Sequence, residues 1–192
     1  MAVKKICSLK ISDIGKDNLF ILDINILYFI HSGYYITPGC RDYNKYFSYS
    51  TFVSQLLSNG NKLYTTSANL QELFYGIENK EYFFYAHMKG LNTNYKMPKY
   101  FSKKDYRWVV AEKNRLKLKF ETIFKELNNT YLIFDTTIFS SSIRSYIDTF
   151  DIYHYDPIDY IMVDESIKYS RLNFISDDSD FTCDSRIEVY TI

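Results

Sequence analysis

The chain is poor in the residues that build covalent or metal-stapled scaffolds. Its three cysteines, Cys7, Cys40 and Cys183, lie far apart with no metal-ligand spacing, which excludes a cysteine-built metal site and suits a reducing cytoplasm. Net charge is absent too: 23 basic residues balance 23 acidic ones, so no overall basic field advertises nucleic acid, although a local basic face remains open. Glycine (6) and proline (3) are scarce, and no low-complexity linker or internal repeat divides the sequence. The start, Met-Ala-Val-Lys-Lys, leads into only a few apolar residues before charge returns, so neither a signal peptide nor a membrane span is expected. These absences leave a soluble, intracellular protein. At 192 residues, one domain with a substantial core is the default.

Tyr (20) and Phe (15) are abundant, together with Asn, Lys and Ile. We read this as compositional bias and do not count the tyrosines as an RNA-stacking signal. The informative stretch is Asn18-Leu-Phe-Ile-Leu-Asp23-Ile-Asn25-Ile-Leu-Tyr-Phe-Ile30, an apolar run broken by one carboxylate and one carboxamide. Residues 19–22 read as a fully buried strand and residues 26–30 as the following helix. Asp23 and Asn25 then sit at the strand's carboxyl end, where open α/β sheets place ligands. Burying an ionised Asp costs several kcal/mol unless something pairs with it.

Along the chain, residues 1–18 read as a peripheral lead-in with an extra strand around 6–11. Residues 32–50 are turn-rich, 50–58 are helical, and Asn59-Gly60-Asn61 stops that helix. A short strand over 62–66 precedes a helix capped by Ser67 and running to about Asn79, with Leu70, Leu73, Phe74 and Ile77 as its core stripe. Residues 80–102 read as irregular. Ser102-Lys-Lys-Asp105 resembles a capping box and opens one long helix to about Leu127, with Val109, Leu116, Phe120, Ile123, Phe124 and Leu127 inward. Lys113, Arg115, Lys117 and Lys119 occupy its other faces. They form either an ordinary solvated side or a contact for RNA phosphates. A buried strand over 131–134, a helix capped by Thr136 or Thr137 and running to about Thr149, a helix capped by Asp156 and running to about Ser170, a strand over 173–176 and a final edge strand over 187–192 complete the order. Strands alternating with helices imply right-handed crossovers and a three-layer α/β/α sandwich around a mostly parallel sheet.

Four acidic positions recur in one setting. Asp23 ends the first core strand, Glu72 follows a strand in the first turns of a helix, Asp159 lies in the first turn of another, and Asp178 follows the last parallel strand. Parallel strands put their carboxyl ends on one edge, so these carboxylates can converge. Like charges so placed raise one another's pKa values, and a hard divalent cation with oxygen ligands, Mg²⁺ or Mn²⁺, relieves the conflict. The absence of His or Cys nearby argues against zinc. Metal-assisted phosphodiester hydrolysis is the chemistry most in keeping, with Glu72 or Asp159 orienting the attacking water. Each residue also has a plainer role: Asp23 as a helix cap, Glu72 as an exposed helix residue, Asp159 as the reciprocal of the Asp156 cap, and residues 177–180 as an Asx-rich turn. Leu132-Ile-Phe-Asp135-Thr-Thr mimics the opening motif, but Asp135 reads as a turn residue or cap.

Phe20-Ile-Leu-Asp23-Ile-Asn25-Ile-Leu27, Ser67-Ala-Asn-Leu-Gln-Glu72-Leu, Asp156-Pro-Ile-Asp159-Tyr-Ile and Phe174-Ile-Ser176-Asp177-Asp178-Ser-Asp180-Phe181 together resemble the PIN-domain ribonucleases, a family that includes VapC-type toxins. Together these motifs cover most of the chain from residue 19 to 192. The resemblance implies a single PIN-like nuclease domain over 1–192 with a helical and irregular insertion at about 80–127. It further implies Asp23, Glu72, Asp159 and Asp178 as the catalytic, Mg²⁺- or Mn²⁺-binding set joined by Asp180, with Asn25, Ser176 and Asp156 in support. RNA is the implied substrate, an antitoxin protein the implied partner, and a homodimer fits the same resemblance. Two departures stand out: extra length in 32–50 and 80–104, and Tyr160, Asp164 and Glu165 where such toxins carry small apolar residues. A catalytically silent PIN-like RNA-binding or scaffold module and a DNA-directed nuclease of related fold remain the alternatives.

Overall fold

The computed structural model describes residues 2–91, 101–134, 146–148, 152, 155–168 and 173–192. Six strands form one sheet: β1 (Ala2–Lys5), β2 (Leu19–Leu22), β3 (Lys62–Thr66), β4 (Leu132–Phe134), β5 (Asn173–Ile175) and β6 (Glu188–Thr191). Their order is β1-β6-β5-β2-β3-β4, and all five pairings are parallel. The helices are α1 (Ile24–His31), α2 (Tyr43–Ser58), α3 (Ser67–Met88), α4 (Lys103–Trp108), α5 (Val110–Thr130) and α6 (Pro157–Lys168). None of the described helices is long and apolar enough to cross a membrane.

Side chains alternate across the sheet and so feed two cores. Phe20, Leu22, Leu63, Ile175 and Tyr190 pack with Ile26 and Leu27 of α1, Phe52 and Leu56 of α2, Leu73 and Ile77 of α3, and Leu116, Ile123 and Leu127 of α5. Ile21, Tyr64, Phe174 and Val189 face the other way, against Tyr160, Met162 and Val163 of α6 and Phe181. The molecule is therefore a three-layer α/β/α sandwich. In β2, Phe20, Ile21 and Leu22 are all fully buried. At about 1.5–3 kcal/mol for each large apolar side chain, this strand offsets the several kcal/mol that burying a carboxylate after it costs.

Several elements differ from the sequence reading. The lead-in strand is β1, at 2–5, while Ile6–Ser8 is a 3-10 turn. Strand β6 is not an edge, because β1 pairs with it; the edges are β1 and β4. Leu132 on β4 is accordingly half exposed rather than buried. Helix α2 begins at Tyr43 rather than 50, which removes the second half of the expected turn region. Gly60, at φ +87°, ends α2 as the Asn59-Gly60-Asn61 stop predicts, since only a residue without Cβ adopts that conformation freely. Helix α3 is capped by Thr66, one residue earlier than Ser67, through the Asn69 N–H at 3.0 Å, and it continues past Asn79 to Met88. Of the helix expected after Thr136, residues 146–148 are described and are helical; the rest of it and the look-alike Asp135 lie outside the described residues.

The long helix expected over 102–127 is two helices. The Ser102–Asp105 capping box is present, but the backbone turns extended at Val109 (φ −74°, ψ 100°). Tyr106 is buried against Tyr82 and Tyr85 of α3, whereas α5 buries Leu116, Ile123 and Leu127. In one continuous helix Tyr106 would stand roughly 80° off that stripe at about 100° per residue. The break lets both sets pack. It also leaves Trp108, the last residue of α4, 78% exposed.

Candidate active site

The strand order reverses at β2: β3 and β4 extend to one side of it, and β5 returns to the other. Parallel sheets bind ligands outside the carboxyl ends of their strands at such a reversal. Asp23 follows β2 directly and Ser176 follows β5 directly, so both stand at that point.

Asp23 is 2% exposed. Its Oδ1 accepts the N–H of Ile24 at 2.6 Å, capping α1, and its Oδ2 accepts the Ser176 hydroxyl at 2.7 Å. Ser176 Oγ in turn accepts the Asp178 N–H at 2.9 Å, and Asp178 Oδ1 accepts the Asp180 N–H at 2.9 Å. Asn25 Oδ1 takes the Asp177 N–H at 3.3 Å. The loop after β5 is thus hung from the loop after β2. Burial pushes the Asp23 carboxyl up to about 7, against the Ser176 and Ile24 donors that favour its charge, and Asp178 and Glu72 add repulsion.

Pro157 starts α6 as its fixed φ favours, and Asp156 Oδ1 accepts the N–H groups of Ile158 (2.8 Å) and Asp159 (2.9 Å). Asp159 is thereby fixed in the first turn. Burial raises it to about 8, with Asp23, Asp156, Asp178 and Glu72 adding their charge. Glu72, half-buried on the second turn of α3, is raised by burial and by Asp156. The four carboxylates therefore act on one another across the edge. Asp180 joins through its N–H. Among the described residues no three carboxylate, imidazole or thiol groups meet closely enough to grip one ion, so these acids are neighbours rather than a closed cage. In kind the donor set fits a hard divalent cation: oxygens only, with two carboxyls that burial and the neighbouring carboxylates push up.

Three features escaped the sequence. Asn69, fully buried in the first turn of α3, donates from Nδ2 to the Leu22 carbonyl at 3.0 Å and lies 3.3 Å from Met162 Sδ. It ties the last residue of β2 to α3 and α6, so it sets where Asp23 begins. Its carboxamide lay within the Ser67–Glu72 motif, but nothing there distinguished a buried amide from a surface one. Asp177 turns from the acidic group towards α2, where Lys45 pairs with its Oδ2 and the Tyr49 hydroxyl donates to Oδ1 at 3.0 Å. The basic side of α5 also divides. Arg115 (2.6 Å) and Lys119 (2.8 Å) hold the buried Glu81, which accepts the Tyr34 hydroxyl as well. Lys117 reaches Glu121 at 3.6 Å, and Lys113 has no ion-pair partner among the described residues.

No protein-family profile matches the chain, and no curated protein does. Among solved structures it is similar to a chain of VapBC2 from Rickettsia felis, determined bound to a DNA fragment from their promoter. The identity is 14%, the match covers 91% of this chain and 98% of that one, and the TM-score is 0.49.

Proposed function

We propose that this protein is a divalent-metal-dependent endoribonuclease. One observation carries the reading: Asp23 and Ser176–Asp178 meet at the point where the parallel sheet reverses, Glu72 and Asp178 act on the Asp23 carboxyl, and Asp23, Asp178 and Glu72 act on that of Asp159. Nothing else described gathers so many uncompensated carboxylates. Asp23, Asp159, Asp178 and Glu72 would hold Mg²⁺ or Mn²⁺, with Asp180 beside them. When bound, the cation supplies an attacking water of lowered pKa and charge stabilisation for the leaving oxygen of a phosphodiester.

The chain's own residues do the positioning. Ser176 fixes the orientation of Asp23, and the Asp156 cap fixes that of Asp159. Asn25 pins the Asp177 N–H, which keeps the loop bearing Asp178 over the end of β2. Glu72, half-buried at the rim, or Asp159 would orient the attacking water. The four-motif resemblance extends the proposal to a toxin held in check by an antitoxin protein, and co-expression with the product of a neighbouring gene tests that part. The core test is purified protein with end-labelled single-stranded RNA and Mn²⁺: Asp23→Asn and Asp178→Asn should each abolish cleavage, and cleavage surviving either change overturns the reading. The spacing of the acids favours one rival, a silent module in which Asp23 is only a helix cap. Isothermal titration separates them, since the rival binds no Mn²⁺.

A further inference from the structure

One solvent-facing cleft away from the acidic edge combines an exposed aromatic with unpaired cations. A cavity of about 380 Å³ is lined by Glu78, Lys104, Arg107, Trp108 and Lys113. Three cations face one carboxylate there. Glu78 is already neutralised, because Arg107 binds both its oxygens (Nε–Oε1 2.5 Å, Nη2–Oε2 2.6 Å) and Lys103 stands 3.6 Å away. Those donors hold the Glu78 carboxyl below its usual value. The other acids nearby are also occupied: Asp105 in the Ser102 capping box and Glu112 by Arg115. Lys104 and Lys113 are exposed and form no salt bridge within 4 Å among the described residues, although the charge of Lys104 also acts on Asp105. The break at Val109 leaves Trp108 78% exposed between them.

The cleft and the acidic edge both border α3, through Glu78 and Glu72. Glu72, Tyr75 and Asn79 fall on one face at helical spacing. Tyr75 is 60% exposed, and the Lys103 ammonium lies 3.8 Å from its ring centroid while binding Asn79 at 2.7 Å. Glu78 is six residues from Glu72, about 9 Å along the axis at a rise of about 1.5 Å per residue. The surface leading from the candidate site therefore runs Glu72, Tyr75 with Lys103, then Arg107 with Trp108 and the two free lysines. We propose that this cleft binds single-stranded RNA leaving the acidic edge, Trp108 stacking a base while Lys104 and Lys113 take phosphates.

An exposed indole flanked by lysines suits this ligand better than a protein surface. Lysine is depleted in protein interfaces, whereas single-strand binders pair aromatic platforms with a basic track. Arg107, clamped by Glu78, gives the platform a rigid base. The direction of the strand rests on the nuclease reading; the chemistry of the cleft does not.

The test measures fluorescence anisotropy of labelled oligouridylate in EDTA, with duplex RNA and a polyglutamate peptide as parallel probes. Trp108→Ala should weaken single-strand binding about 10-fold, the effect of removing one stacked base. Lys104→Ala with Lys113→Ala should lower the slope of log affinity against log salt by about 1.4, two phosphate contacts at about 0.7 each. Unchanged melting temperatures show that both variants fold. Unchanged single-strand binding in the variants, no binding by the wild type, or an equal loss on duplex RNA or polyglutamate overturns the cleft. A parallel Mn²⁺ cleavage assay separates the two readings. Asp23-dependent cleavage with unaltered binding by Trp108→Ala removes only the cleft; weakened binding without such cleavage removes only the nuclease.

Discussion

Ser176 Oγ lies 2.7 Å from Asp23 Oδ2 and donates to it across 153 residues of sequence, while the same oxygen accepts the N–H of Asp178. One hydroxyl therefore joins the two central strands at their carboxyl ends and serves both loops.

Ser176→Ala leaves a buried carboxylate oxygen and a backbone N–H short of a partner. The expected cost is about 2 kcal/mol, or a melting temperature lower by roughly 4–8 °C in a chain of this size. The loss should be greater at pH 8 than at pH 5, because an ionised acceptor makes the stronger bond. Equal losses at both pH values would show that Asp23 is not the partner that matters.

Burial pushes the Asp23 carboxyl up to about 7 and that of Asp159 up to about 8 in the folded chain, above their unfolded values near 4. Between those limits the folded state holds more protons than the unfolded one, so stability falls as pH rises through about 4 to 8. Thermal melts in EDTA should show that decline, and Asp23→Asn should flatten it. Mn²⁺ should stabilise the wild type most at the upper end, where it no longer competes with protons. A melting temperature that climbs with pH across this window would contradict the assignment.

Glu81 has the opposite sign. Burial raises its pKa, but Lys119, Tyr34 and Arg115 outweigh burial and hold it low. Its contribution is present above its unfolded value, about 4.5, and is lost as pH falls through the lower folded one. Arg115→Ala with Lys119→Ala leaves a buried charge with only a hydroxyl, at a cost of about 3 kcal/mol near neutral pH. Urea midpoints should show the deficit shrinking in acid; a deficit independent of pH would mean the cations act through packing alone.

Asn69→Ala should cost about 2 kcal/mol through the freed Leu22 carbonyl, and Asn69→Asp more above neutrality, where a further carboxylate joins the edge. Cleavage should fall in both while the protein stays folded at low temperature. Full activity in Asn69→Ala would show that the end of β2 does not need this tether.

Much of the fold was legible because it is written in short range. The apolar run of β2, the Asp156-Pro157 start of α6 and the glycine at 60 each fix local geometry without help from elsewhere. What was missed depends on partners distant in sequence. Nothing local in 102–127 breaks a helix; the break at Val109 lets Tyr106 bury against Tyr82 and Tyr85 while α5 buries Leu116, Ile123 and Leu127. Helix α3 outruns Asn79 because Tyr82 and Tyr85 pack against Phe101 and Tyr106. Asn69 looks like any surface amide until Leu22 is placed beside it. At the candidate site the order of the four acids and the cap by Asp23 were readable, because both are local; the bridge from Ser176 to Asp23 was not, because it required the register of β2 with β5.

Strand β2 is made early and its neighbour β5 almost last, with Leu22 opposite Ile175. The middle of the sheet is thus a contact of very high sequence separation, the kind that forms slowly and late. On a ribosome, the first helices and β3 have the whole intervening chain to collapse around β2 while one flank of it stays open. Asp23 meets its hydroxyl only after residue 176 has emerged. The acidic edge is consequently assembled late, and a nascent chain carries its pieces without yet having the site.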